Sequence, residues 1–121
     1  MKANDCAQDL PTLVYDGPIT IHVEPIRQGR DLLVRVFGGE AHIGAVAVQT
    51  EDGSHTLYVY KGHKEGELAL DMARALAPYC PGPVCVVAGI HKDNITAQEI
   101  DFVLSTVKRA TETLVRALRA D

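Results

Sequence analysis

Apolar and polar residues begin to alternate at Ile19. Ile19, Ile21 and Val23 fall on one side and Thr20, His22 and Glu24 on the other, the period of a half-buried strand, which Pro25 ends. Gln28-Gly29 turns the chain into a second strand over residues 30–37, closed by Gly38-Gly39, where glycine can adopt the positive φ that a tight connection needs. Small and β-branched residues over 42–49 predict a third strand. Glu51-Asp52-Gly53-Ser54 then turns it into a fourth, the alternating run 55–60. These four strands are expected to form a meander.

From 65 to 79 the period becomes helical, with Leu68, Met72, Ala75, Leu76 and Tyr79 on one stripe, and Pro78 and Pro81-Gly82-Pro83 stop it. Val84-Cys85-Val86-Val87-Ala88 is a short apolar run between turn residues, the signature of a central strand buried on both faces. Thr96-Ala97-Gln98-Glu99 is a capping box, opening a long helix whose face carries Ile100, Val103, Leu104, Val107, Thr111, Leu114 and Leu118. That helix is about 35 Å long, whereas an eight-residue strand spans roughly 26 Å. Its far end, with Leu114, Val115 and Leu118, should overhang the sheet, and either the amino-terminal segment or a second copy must cover it. A homodimer is expected. The order ββββαβα predicts an α+β fold, a mostly antiparallel sheet with two helices packed on it. Residues 1–17 read as an irregular lead-in and residues 18–121 as a single α+β domain.

Composition narrows the class. A chain of 121 residues can bury a core without disulfides, and 46% hydrophobic with 23% charged residues is a globular balance with no apolar run of bilayer length. The first 16 residues lack a secretory pattern, so a cytoplasmic location is expected. A net charge of −4 argues against nucleic-acid binding. Cys6, Cys80 and Cys85 have no metal spacing and read as reduced, packed thiols.

Connectivity brings three histidine loops together. A helix joining the fourth strand to the fifth makes them run the same way, so Lys61-Gly62-His63-Lys64-Glu65 and Gly89-Ile90-His91-Lys92-Asp93-Asn94 sit at one edge. The third strand runs against the fourth, placing Gly38-Gly39-Glu40-Ala41-His42 beside them. His55 falls at the opposite edge and His22 inside the first strand. Both carboxyl-end loops feed helix starts, and with Lys64, Lys92 and the close approach allowed by Gly62 and Gly89 the edge should suit a phosphate or carboxylate. A metal is the competing use of His42, His63 and His91, with Glu40, Glu65 or Asp93 completing the site, although the spacing matches no HExxH or zinc knuckle. No nucleophile elbow or P-loop is present, so no enzyme chemistry is indicated.

The segments Gly38-Gly39-Glu40-Ala41-His42-Ile43-Gly44-Ala45-Val46, Gly62-His63-Lys64-Glu65 and Gly89-Ile90-His91-Lys92-Asp93-Asn94-Ile95 together resemble a small family of prenylated-flavin chaperones associated with gallate-type decarboxylases of the UbiD class. The similarity covers roughly residues 19–118. It implies a fold similar to small proteasome-assembly chaperones, and a non-catalytic role in holding prenylated FMN, or FMN, and delivering it to the decarboxylase. Gly39, His42, Gly44, Gly62, His63, Lys64, Glu65, Gly89, His91, Asp93 and Asn94 are the matching positions and hence the expected cofactor-binding set. Backbone amides after Gly62 and near Asn94, with Lys64, are expected to hold the phosphate, and His91 and His42 the polar edge of the flavin. The alternatives are a protein-assembly chaperone for the decarboxylase without a small molecule, and a small His-dependent metal-binding protein.

Overall fold

The computed structural model describes residues 10–60 and 65–119. Among them, six strands build one sheet with two helices on it, an α+β fold. In chain order these are β1 (Leu13–Tyr15), β2 (Ile21–Gln28), β3 (Asp31–Gly39), β4 (Ala45–Gln49), β5 (His55–Val59), α1 (Gly66–Leu76), a 3-10 turn (Ala77–Tyr79), β6 (Val84–His91) and α2 (Ala97–Arg119). The sheet order is β1-β2-β3-β6-β4-β5, and every neighbouring pair is antiparallel except β3 with β6.

The expected four-strand meander is not formed. β2–β3 and β4–β5 are hairpins as read, although β2 does not end at Pro25 but runs through it, opposite Val34, to Gln28; β6 inserts between the hairpins, pairing Val34 with Val86 on one side and Ala47 with Val86 on the other. The physical reason lies in its sequence: an apolar strand on both faces gains most at the centre of a sheet, paired along both edges. β6 still runs in the same direction as β5, with β4 between them. β4 starts at Ala45 and not at His42, because residues 40–44 are used to cross β6. At the amino terminus, Leu13–Tyr15 lies inside the segment read as irregular, yet pairs with β2 as an edge strand, Val14 opposite His22.

The core lies on one face of the sheet. Leu32, Val34 and Val36 of β3, Val84, Val86 and Ala88 of β6, and Ala45 and Ala47 of β4 are buried together with Ala69, Met72, Ala73 and Leu76 of α1 and Val103, Val107, Ala110 and Leu114 of α2. The overhang expected of α2 is corrected by the same packing: Leu114 is fully buried and Leu118 only 9% exposed, both within the chain's own core. The helix end therefore needs no second chain. Exposed apolar side chains lie instead at the β5 edge, where Leu57, Tyr58, Val59 and the following Tyr60 all face solvent, and on α2, where Ile100 and Leu104, read as part of its apolar face, are exposed while Thr106 and Ala110 take buried places. Among the described residues no helix is long and apolar enough to cross a membrane.

The capping box forms as read. The Thr96 amide donates to the Glu99 carboxylate at 2.9 Å and the Glu99 amide to the Thr96 hydroxyl at 3.1 Å. Lys92 adds its ammonium to the same carboxylate. The Lys92 ammonium, and then the Thr96 amide, hold the Glu99 carboxyl below its ordinary value. A depressed folded-state pKa contributes stability that is present above the ordinary glutamate value of 4.5 and is lost as pH falls through the lower folded value. Urea midpoints of wild type and Glu99→Gln should therefore differ at neutral pH and converge in acid; a constant offset across that range would show that the charge is not what stabilises this helix start.

Candidate functional site

Because β6 lies between β3 and β4, residues 40–44 form a strap across its end. Gly39 makes the turn with φ of +62°, and a Cβ there would lie 2.1 Å from the His91 carbonyl oxygen. The Glu40 amide donates to that same carbonyl at 2.9 Å. The strap then passes directly over Gly89, where a Cβ would sit 1.7 Å from the His42 carbonyl oxygen. At its far end the Gly44 amide donates to Ala88 O at 2.8 Å, and the Tyr60 amide donates to Gly44 O at 2.7 Å. Two of the glycines expected to approach a ligand, Gly39 and Gly89, thus have a nearer reason: they let one backbone segment cross another.

Glu65 ties this crossing to α1, of which it is the N-cap residue. Its side chain is only 10% exposed. One carboxylate oxygen accepts the Ile90 amide at 3.1 Å and lies 3.2 Å from His42 Nε2, and a Cβ on Gly44 would run into the same carboxylate at 2.7 Å. His42 Nδ1 in turn faces the Glu40 carbonyl at 3.2 Å. Glu65 and His42, both expected to touch a cofactor, are therefore engaged in holding the strap.

His91 is freer. Its ring stands nearly perpendicular to that of His42, with centroids 6.0 Å apart. Its Nε2 is 2.9 Å from Asp93 and 3.8 Å from Glu40. Donor atoms of Glu40, His91 and Asp93 all lie within 4.8 Å of one another, the set among the described residues that could hold a cation. His42 is not part of it. Asn94 takes φ of 56°, a left-handed turn that asparagine tolerates, and carries the chain from β6 towards α2. Gly62, His63 and Lys64 lie outside the described residues. Lys92, expected to attract an anion, is directed to Glu99.

Two cavities flank the strap. One, of about 460 Å³, is lined by Glu40, Ala41, His42, Ile43, Tyr60 and His91. The other, of about 380 Å³, lies on the sheet face opposite the helices and includes Leu33, Arg35, Phe37 and Val87 together with Ala41, His42 and Ile43. The strand residues of this second cavity were missed from sequence. Their signal was the phase of β3, in which Leu33, Arg35 and Phe37 point away from the buried Leu32, Val34 and Val36. His22, set aside as a strand residue, stacks on Phe37 at 4.7 Å between ring centroids. Cys85 is half-buried, and burial pushes its thiol up, which leaves it protonated and a poor nucleophile at neutral pH.

A family model described as the prenylated flavin chaperone LpdD-like domain matches residues 15–119, nearly the whole strand and helix framework and both sides of the strap. The chain belongs to that family. Its match begins at Tyr15, within β1, and so takes in part of the segment read as lying outside the resemblance. No curated protein matches the sequence. For a prenylated flavin chaperone, the strap and its two cavities supply a concave place with a few polar groups on apolar walls, the usual character of small-molecule sites.

Gly89→Ala must displace the strap backbone and should cost about 1–3 kcal/mol of stability or more, as overpacking does. Gly29→Ala meets nothing within 4 Å and carries only the strain of its φ of +63°, so it serves as the comparison. Glu65→Ala leaves the Ile90 amide without its partner and should cost about 1–3 kcal/mol. Urea unfolding reads all three; equal, small effects for Gly89→Ala and Gly29→Ala would mean that the crossing is not rigid.

Proposed function

We propose that the chain binds prenylated FMN at the strap end of the sheet and holds it or delivers it to a UbiD-class aromatic acid decarboxylase, without catalysing a reaction itself. The observation that carries this reading is the membership in the prenylated flavin chaperone family together with two adjoining cavities at the end where His42 and His91 meet. In this proposal backbone amides after Gly62 and near Asn94, with Lys64, take the phosphate. His91, with 44% of its side chain exposed against 24% for His42, is the histidine better placed to contact the polar edge of the ring. Gly39, Gly44, Gly89, Glu65 and His42 contribute by building the strap, and Asp93 by orienting His91.

Delivery requires a docking surface. The exposed apolar edge at β5, with Leu57, Tyr58 and Val59, supports contact with the decarboxylase, and in its absence with a second copy of the chain, in the cytoplasm. The same edge favours a second reading, an assembly chaperone for the decarboxylase that carries no small molecule.

Calorimetric titration of the protein with FMN and with anaerobically prepared prenylated FMN separates the two. Flavin binding near micromolar affinity is expected, about 8 kcal/mol, weak enough for release to a client. His91→Ala should weaken it by about tenfold, the worth of one good polar contact. Absence of heat with either flavin, alongside a stable complex with the decarboxylase, would favour the assembly reading.

A further inference from the structure

Both helices pack on one face of the sheet, and the opposite face is not polar. The alternation that buries Leu32, Val34 and Val36 turns Leu33 and Phe37 the other way, and in β6 and β4 it turns Cys85, Val87, Val46 and Val48 the same way. Register makes these residues neighbours: Leu33 pairs with Cys85, Arg35 with Val87, Val46 with Val87 and Val48 with Cys85. They remain only partly buried in the chain, a continuous apolar strip across the three central strands.

The strap crosses this same face. Gly89 follows Val87 by two residues along β6 and so shares its face, and it is at Gly89 that the His42 carbonyl lies over the strand. The cavity of about 380 Å³ is therefore roofed by Ala41, His42 and Ile43, with Leu33, Phe37 and Val87 among its walls. Phe37 is fixed there by its stack on His22, with 5° between the ring planes, and by the Arg35 guanidinium 4.6 Å from its centroid. Arg35 is itself held by Glu24 at 2.7 Å. Flat aromatic groups pack favourably at such distances.

We propose that this cavity receives the flat ring system of the flavin, with its apolar dimethylbenzene and prenyl-derived edge against Leu33, Phe37 and Val87. The polar edge of the ring would extend past the shared Ala41, His42 and Ile43 towards His91 in the adjoining cavity. The assignment deepens the flavin reading and rests on it. The outer cavity is rimmed by the Glu40 carboxylate, 77% exposed, which an apolar ring placed there would strip of water, whereas Arg35 at the inner cavity is already paired with Glu24. The face beneath the strap holds apolar area that the described residues leave partly exposed, and the prenyl-derived ring, which distinguishes the cofactor from FMN, has most to gain from it.

The test uses the intact chain. Methyl and aromatic NMR signals of the wild-type protein are followed as FMN is added, with Ile26, exposed at the far end of β2, as the reference. Shifts and contacts at Leu33, Phe37 and Val87, with Ile26 unmoved, are the expected result. In parallel, Leu33→Thr/Val87→Thr places β-branched residues, which suit strands, on a partly exposed face, so the fold should hold. This variant should lose the preference of the wild type for prenylated over plain FMN, reducing a gain of about tenfold to less than about threefold, with plain FMN weakened by a smaller factor than the prenylated form. Flavin binding with shifts confined to residues 40–43 and 91–94, or an unchanged preference in the variant, would overturn this placement and leave the flavin reading standing. Failure of the wild type to bind either flavin would overturn both.

Discussion

Val84-Cys85-Val86-Val87-Ala88 is apolar on both faces, and a strand of that kind is most stable with a partner on each side and cover on its faces. Its insertion between two hairpins is the constraint from which the site follows. Once β6 separates β3 from β4, the connection between them must span two strand spacings, roughly 10 Å, and cross whatever lies between. It crosses at the end of β6, close enough that side chains at Gly39 and Gly89 would collide with backbone oxygen atoms. The strap is thus a product of sheet order, and the cavities beside it are a product of the strap.

A crossing of this kind exposes backbone polar groups that no ladder satisfies, and the chain answers with one carboxylate. Glu65 reaches from the start of α1 to the Ile90 amide and to the His42 ring, joining helix, central strand and strap at a single buried point. Removing it would leave an amide without a partner in a half-buried place, a cost that falls on the geometry of the whole edge. The histidine nearest the crossing is held by this tie, whereas His91, the last residue of β6, keeps its outer edge available. Residues that look equivalent as sequence motifs therefore divide into a scaffold and a surface.

Much of this was legible from residue pattern alone. The two hairpins followed from alternation interrupted by Gly29 and by the turn at Gly53; α1 followed from its stripe; the capping box at Thr96 and Glu99 formed atom by atom as written. The meeting of the His42 and His91 loops followed from strand direction, which survives the change in neighbours because β5 and β6 run the same way in either arrangement. Sheet order did not follow, since alternation within a strand reports which face is buried but not which strand lies beside it. The overhang of α2 was misjudged for a related reason: helix length is visible in sequence, but the packing of Leu114 and Leu118 against the chain's own core depends on the crossing of helix over sheet. The glycines were the least transparent. A Cβ that would strike a carbonyl oxygen belonging to a residue far away in sequence leaves the same mark as a Cβ that would strike a phosphate.

A cofactor carrier faces opposed demands, because it must shield a reactive ring and yet surrender it. The architecture offers a physical route to both. The strap is rigidly anchored at Glu40 and Gly44, so the cavities on either side are preformed and binding need not order a loop, which removes a cost that a flexible site would have to offset. On the proposed placement, affinity could stay modest without loss of selectivity, since selectivity would come from the match between an apolar face and an apolar ring. Release would be served by the same openness, because among the described residues no second layer seals either cavity. A client that presented its own apolar walls to the exposed face could draw the ring across without any part of the carrier having to unfold.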